Sequence, residues 1–251
     1  MNYLLTVAYV GTNYCGWQVQ PNAVSVQQTL QDAVEKVFGR RFPLTGCSRT
    51  DSGVHAKGFL CMITTDGSES SIPLSNVSTA LNSLLPDDIS VLSCEMADED
   101  FHPRYGTFGK VYSYRYFDRR ERDPFFAQRV WHIRGHLDEN RMNEAAKLFV
   151  GEHDFSAFCA SGTSDDNHVR TIYETDVRRI GDEVIFTVCG NGFLYNMVRI
   201  MAGTLSEVGT GRKEANAVEK ALEKGDRTLA GITAPAYGLY LERVLREQPK
   251  Q

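Results

Sequence analysis

Two hydrophobic periods alternate along this chain. Residues 3–10, YLLTVAYV, form a short run dominated by apolar positions and predict a strand. The period then lengthens in SVQQTLQDAVEKVFG (25–39), where Val26, Leu30, Ala33, Val34 and Val37 recur at helical spacing. Ser25 with Gln28 three residues on predicts a capping box, and Gly39 a helix stop. GFLCMITT (58–65) predicts a strand, SSIPLSNVSTALNSLL (70–85) a second helix and ISVLSCEM (89–96) another strand. After an acidic patch, ADEDFHPRY (97–105), the pattern restarts. GKVYSYRYF (109–117) is rich in strand formers, and DENRMNEAAKLFVG (138–151) predicts a helix ending at Gly151. VRTIYETDVRRI (169–180) and EVIFTVCG (183–190) predict strands joined by a hairpin at Gly181–Asp182. LYNMVRIMAGTLSEVG (194–209) predicts a helix with Met197, Ile200, Met201 and Leu205 on one face, and EANAVEKALEKG (214–225) another. YGLYLERV (237–244) closes the chain as a strand.

The pattern therefore describes an α+β protein of two successive halves, with a boundary near 100–108 and domains at about 1–105 and 106–251. Hairpin links rather than strict strand–helix–strand repeats favour antiparallel sheets with helices on one face.

Composition narrows the class. With 251 residues, 42% hydrophobic and 24% charged, the chain can bury a sizeable core. Its apolar runs fall short of the roughly 18 residues a membrane span needs. The start, MNYLLTVAYV, lacks the features of a signal peptide. Cys15, Cys47, Cys61, Cys94, Cys159 and Cys189 are scattered with no Cys-x-x-Cys pair, which points to free thiols in a reducing compartment, the cytoplasm, rather than to zinc or a disulfide framework.

Charge changes the picture locally. The net charge is −5, which taken alone disfavours nucleic acid. Yet from Arg104 to Arg134 eight basic residues face three acidic ones, interleaved with Tyr105, Phe108, Tyr112, Tyr114, Tyr116 and Phe117. Such a stretch suits phosphate neutralisation with base stacking, and equally a strand with one buried aromatic face.

Several segments offer chemistry. In CSRTDSGVHA (47–56), an extended backbone would put Arg49 and Asp51 on one face, where the guanidinium favours an ionised carboxylate able to act as a nucleophile. The plainer alternative is an Asx-turn in which Asp51 caps its own backbone. GNGFLYN (190–196) fails the dinucleotide fingerprint because Tyr195 stands where the third glycine belongs, so Gly190 and Gly192 are read as shaping a turn. His132 and His136, four apart in HIRGH, are interrupted by Gly135 and have no carboxylate or cysteine alongside in that segment, so no metal is expected. Arg199 stands among apolar neighbours; a guanidinium there calls for a partner, and Asp51 is one candidate.

Taken in order, YVGTNYCGWQVQ (9–20), RTDSGVHA (49–56), KVYSYRY (110–116), FLYNMVRIMAGTLSEVGTG (193–211) and DRTLAGITAPAYGLYLERV (226–244) closely resemble the tRNA pseudouridine synthase A family over nearly the whole chain. The resemblance implies two α+β halves around a continuous, mainly antiparallel sheet, with the active site in a basic cleft between them. It implies isomerisation of uridine to pseudouridine at neighbouring positions (38, 39 and 40 of the tRNA) in the anticodon stem-loop, by a homodimer that needs no cofactor. Asp51 matches the family's catalytic aspartate and Tyr112 the tyrosine that contacts the target uracil. Arg199 matches the arginine paired with the aspartate, and Arg49 one implicated in extruding the nucleotide. Ser48 stands where the family often has glycine, and Ser52 where alanine is common. Two other readings of the same residues are a non-catalytic RNA-binding protein and a carboxylate-dependent glycosidase acting on nucleosides. The second would want another acidic group near Asp51.

Overall fold

The computed structural model describes residues 2–66, 72–162 and 165–248; Ser70 and Ser71 of the expected second helix lie outside them. The chain divides into two units, Met1–Phe108 with Leu241–Gln251, and Gly109–Tyr240. Among the described residues there are ten strands and five α-helices, and the strands pair almost entirely antiparallel. The fold is mixed α+β, as the pattern predicts.

In the first unit, β1 (Asn2–Tyr9) runs between β3 (His55–Thr64) and β4 (Ile89–Ala97), antiparallel to both. A short β2 (Leu44–Gly46) adds to β3. Helix α1 (Val26–Phe38) buries Val26, Leu30, Ala33 and Val34. The leucine and the two valines contribute about 1.5–3 kcal/mol each. Ser25 caps the helix by accepting from the Gln28 N–H at 3.2 Å, and Gly39 ends it in the left-handed region at φ +76°. Only half of the expected capping box forms, because the Gln28 amide turns to Asp32 at 2.6 Å. Helix α2 (Leu74–Asn82) starts later than the apolar pattern suggests. Pro73 fixes its own φ and excludes helix for the residue before it, so the helix opens at Leu74.

In the second unit, β5 (Gly109–Phe117), β9 (Glu183–Gly190), β8 (Val169–Ile180) and β7 (Gly151–Asp154) lie side by side in that order. A two-residue β6 (Trp131–His132) pairs parallel to β5. β8 and β9 are joined by the predicted hairpin, with Gly181 at φ +59° as a type II′ turn requires at its first central position. Helix α3 (Glu139–Lys147) covers part of β8: Asn143 Oδ1 accepts the Val177 N–H at 3.1 Å, and Thr175 donates to the Ala146 carbonyl at 2.9 Å. This satisfies backbone that an open edge would leave unpaired. Helix α3 stops at Lys147 rather than at Gly151. Its last carbonyls are taken by bonds three residues on, from Leu148, Phe149 and Val150, as Phe149 turns into a cluster with Phe155 and Phe158. Helix α4 (Met197–Gly209) is buried nearly all round, not on one face. It begins three residues late because Asn196 is left-handed at φ +58°. Helix α5 (Ala217–Lys224) follows, and β10 (Leu239–Leu245) carries the chain back into the first unit.

Within residues 104–134 the aromatic strand itself is buried. Tyr112, Tyr114, Tyr116 and Phe117 are core residues; Tyr114 donates to the Pro235 carbonyl at 2.7 Å and Tyr116 to the Ala202 carbonyl at 2.8 Å. Neither face of the strand is solvated, so the strand as a whole is not an open stacking platform. The residues that follow, around Arg119, Arg120 and Arg122, are exposed, and Arg119 pairs with Asp182 at 2.6 Å and Arg120 with Glu121 at 3.5 Å.

A part-buried ion pair ties this unit together. Arg179 holds Asp118 with two bonds of 2.8 and 2.9 Å and also reaches Glu139 at 3.0 Å, while the Leu137 N–H donates to Asp118 at 2.8 Å. Burial pushes the Asp118 carboxyl up, but the bonds from Arg179 and Leu137 outweigh it and hold the group below the usual carboxylate range. Asp118→Asn is therefore expected to cost about 2–4 kcal/mol at neutral pH. A depressed carboxylate stabilises the fold above its unfolded value of about 3.9 and loses that contribution as pH falls below it. Urea titrations should show the two proteins converging below about pH 4.

Candidate active site

The first unit builds the Asp51 loop by pinning one connection against another. Beyond β1 the chain makes a helical turn at Gly11–Asn13 and runs on through Tyr14, Gly16 and Trp17. Residues 47–56, entering β3, lie along it. Tyr9 and Thr50 share a hydroxyl hydrogen bond of 2.8 Å, and the Trp17 N–H donates to the Thr50 carbonyl at 3.2 Å. The Tyr14 carbonyl accepts from both the Gly53 N–H and the Ser52 hydroxyl at 3.3 Å. The Gly11 N–H donates to His55 Nδ1 at 3.0 Å. Tyr14 is itself anchored by its phenol, which donates to Asp88 at 2.5 Å; burial and that carboxylate push the phenol's pKa well up.

Close approach requires glycine at two points of this lock. A Cβ on Gly11 would stand 2.0 Å from the Val54 carbonyl oxygen. Gly16, at φ +86°, would bring one to 2.4 Å from the Thr50 carbonyl oxygen and 3.2 Å from the Asp51 carbonyl carbon. Below these, Trp17 stacks on Phe59 with ring centres 4.0 Å apart.

The turn at Asp51 is closed by main chain, with the Val54 N–H donating to the Asp51 carbonyl at 3.2 Å and Gly53 at φ +80°. The Gly53 N–H donates to the Tyr14 carbonyl, which ties this turn to the preceding connection. The Asp51 side chain is partly exposed and Arg49 is exposed, two residues apart on the same pinned segment.

The second unit positions the other two expected residues. Tyr112 lies on β5, 7% exposed, in edge-to-face contact with Phe193 at 5.1 Å. Arg199 lies in the first turn of α4, where its Nε donates to the Ala234 carbonyl at 2.8 Å and its Nη1 to Asn196 Oδ1 at 2.6 Å. The Ala234 N–H returns a bond to the Arg199 carbonyl at 3.1 Å, so the segment before β10 and the helix start grip each other. The left-handed Asn196 thus serves the guanidinium rather than capping its helix. Nothing in the sequence marked Asn196, Ala234, Phe193, Tyr14 or Asp88 for these supporting positions.

The histidines have local partners. His132 Nε2 bonds the Arg119 carbonyl at 2.8 Å, and His136 stands 3.5 Å from Asp118. His153 contacts the Val150 carbonyl at 3.1 Å, and His168 the Ser156 hydroxyl at 2.9 Å.

The first unit thus presents a partly open carboxylate on a loop fixed from several sides. Residues 5–106 and 145–245 match the family model of the tRNA pseudouridine synthases. The chain is 46% identical over 243 residues to tRNA pseudouridine synthase A of Clostridium kluyveri, covering 97% of this chain and 98% of that one. It is 44% identical to the protein of the same name from Thermoanaerobacter pseudethanolicus, covering 97% and 99%, and 46% identical to that of Ruminiclostridium cellulolyticum, covering 96% and 97%. The chain belongs to the tRNA pseudouridine synthase family, isomerases of uridine in tRNA.

Proposed function

We propose that the chain isomerises uridine to pseudouridine at neighbouring positions of the tRNA anticodon stem-loop, with Asp51 as the nucleophile. The observation that carries this reading is the Asp51 loop itself, a carboxylate fixed by Tyr9, Tyr14, Trp17 and the two close glycines but left partly open. A paired uridine has to leave its stack before any side chain reaches it. Arg49, exposed beside Asp51, fills the vacated space and holds phosphate. Asp51 then attacks at C1′ or C6, or supports elimination to a glycal. The N1–C1′ bond breaks, the uracil turns, and C5 bonds to C1′. The C5 proton leaves and N1 takes one up, so no atom is gained or lost. Tyr112 packs against the uracil and accepts a proton late in the sequence. Arg199, held rigid by Asn196 and Ala234, serves as the counter-ion of Asp51.

The reading includes a homodimer acting in the cytoplasm without a cofactor, as the family resemblance implies. Its test is incubation with unmodified tRNA followed by base-resolved pseudouridine mapping. Signal is expected at adjacent uridines on the 3′ side of the anticodon stem-loop. Binding without product would favour the non-catalytic RNA-binding reading instead.

A further inference from the structure

The first unit carries an open hollow of about 360 Å³ beside the Asp51 loop, and Arg49 is the one residue of its lining that the reaction so far uses. Ser48 and Arg49 form one wall, Gln18 stands at another, and His102, Arg104 and Tyr105 close it. In a chain with 32 acidic residues and a net charge of −5, none of the residues lining this hollow is acidic, while two are arginines. Among the described residues, neither the Arg49 nor the Arg104 guanidinium has a carboxylate partner. Elsewhere in this unit Arg40, Arg41 and Arg246 all pair with acids.

The third wall is built, not merely exposed. The Tyr105 and Gly106 N–H groups both donate to the His102 carbonyl, at 3.2 and 2.7 Å, closing a turn over the buried Pro103. The Arg104 N–H donates to His102 Nδ1 at 3.1 Å and fixes that ring. The Tyr105 ring then rests on His102 with centres 4.7 Å apart, and the Arg104 guanidinium lies 5.5 Å from its centre. Although supported in this way, the tyrosine remains 75% exposed. A ring held ready at that exposure, between two cations without acidic partners, is suited to stack a planar group that carries an anion.

We propose that this hollow binds a nucleotide of the substrate RNA next to the uridine being isomerised, its base on Tyr105 and its phosphate between Arg49 and Arg104. This rests on the reading of the chain as a tRNA isomerase. Geometry supplies the neighbour relation. Two residues of extended chain span at most about 7 Å, so Arg49 places the mouth of the hollow within that distance of Asp51. Successive nucleotides of a stacked strand rise about 3.4 Å each, so the nucleotide adjoining the flipped base lies within reach of the hollow. Arg49 then has two tasks, filling the gap in the stack and contacting the adjoining phosphate. The site gives the enzyme purchase on the strand itself, independent of the helical stem.

The test compares wild type, Arg104→Gln, Tyr105→Ala and Tyr105→Phe on an anticodon stem-loop RNA and on two versions with an abasic nucleotide on one or the other side of the target uridine. Both side chains are exposed, so melting temperatures should not change. Tyr105→Ala is expected to weaken RNA binding about 5- to 150-fold, and Tyr105→Phe to restore it. Arg104→Gln should lower the slope of log affinity against log salt by about 0.7–0.9. On one of the two abasic RNAs, Tyr105→Ala should cause no further loss. Wild-type product on the intact RNA, together with Tyr105→Ala binding as wild type does, overturns the hollow while leaving the isomerase reading standing. Equal losses for Tyr105→Ala on all three RNAs overturn it also, because the ring then stacks on neither neighbour. If wild type forms no pseudouridine on the intact RNA, it is the isomerase reading that fails.

Discussion

Asp51→Asn is expected to abolish pseudouridine formation, lowering the single-turnover rate by at least about 10⁴-fold, the scale seen when a covalent nucleophile is removed. The substitution keeps the volume and shape of the side chain. The turn is closed by the Asp51 carbonyl and the Val54 N–H, and the loop is pinned through Thr50, Ser52, Gly53 and His55, none of which is altered. Melting temperature and tRNA affinity should therefore stay close to wild type, and the lost rate can be assigned to chemistry. An amide is a far poorer nucleophile than a carboxylate and cannot balance a developing cation at C1′. Normal turnover by the asparagine variant would remove Asp51 from the chemistry altogether. Following free uracil in the same reactions separates a further case. A nucleoside hydrolase would release it, whereas an isomerase retains every uracil on the chain.

How far the sequence reached can be seen at particular residues. Helix α1 was legible because its period, its Ser25 cap and its Gly39 stop all agree, and β8 with β9 because strand formers flank a Gly–Asp turn. The strands β2, β6 and β7 were not legible. At three, two and four residues they are too short to show a period, and they exist only because a longer neighbour offers them an edge. The start of α4 was missed because Asn196 is left-handed and turns its side chain to Arg199 instead of capping the helix. The aromatic strand was ambiguous for a related reason. Alternation says which residues share a face, but only tertiary packing says that both faces of β5 are covered.

The site divides in the same way. Asp51, Tyr112, Arg199 and Arg49 came from ordered motifs, which mark positions without explaining them. The physical content of YVGTNYCGWQVQ appears only in three dimensions. Tyr9 meets Thr50 across 41 residues, Tyr14 meets Ser52 across 38, and Gly11 meets His55 across 44. No pattern within one segment reports contacts at such separations. The hollow is built from residues near 17, 45 and 104, and its turn falls within a stretch read as an acidic patch.

Gly16→Ala is expected to lower the rate of isomerisation about 100-fold while tRNA binding changes little. At φ +86° an alanine is strained by about 1–2 kcal/mol, and its Cβ would also meet the Thr50 carbonyl oxygen at 2.4 Å. Both atoms belong to rigid parts of the chain, so no side-chain rotation relieves the overlap and the main chain at residues 50–51 has to move. A displacement on the order of 1 Å at a reacting group costs about 10²-fold. Gly39→Ala is the matched control. Its φ of +76° imposes a similar strain, but nothing lies within 4 Å of the added Cβ. It should lower the melting temperature and leave isomerisation at the wild-type rate. If the two alanine variants lost stability equally and both kept full turnover, the approach of Gly16 to Thr50 would not be what aims Asp51. If Gly16→Ala alone lost turnover, with its fold retained by circular dichroism, the reason for a glycine in this motif would lie in the position of a carboxylate 35 residues away in sequence.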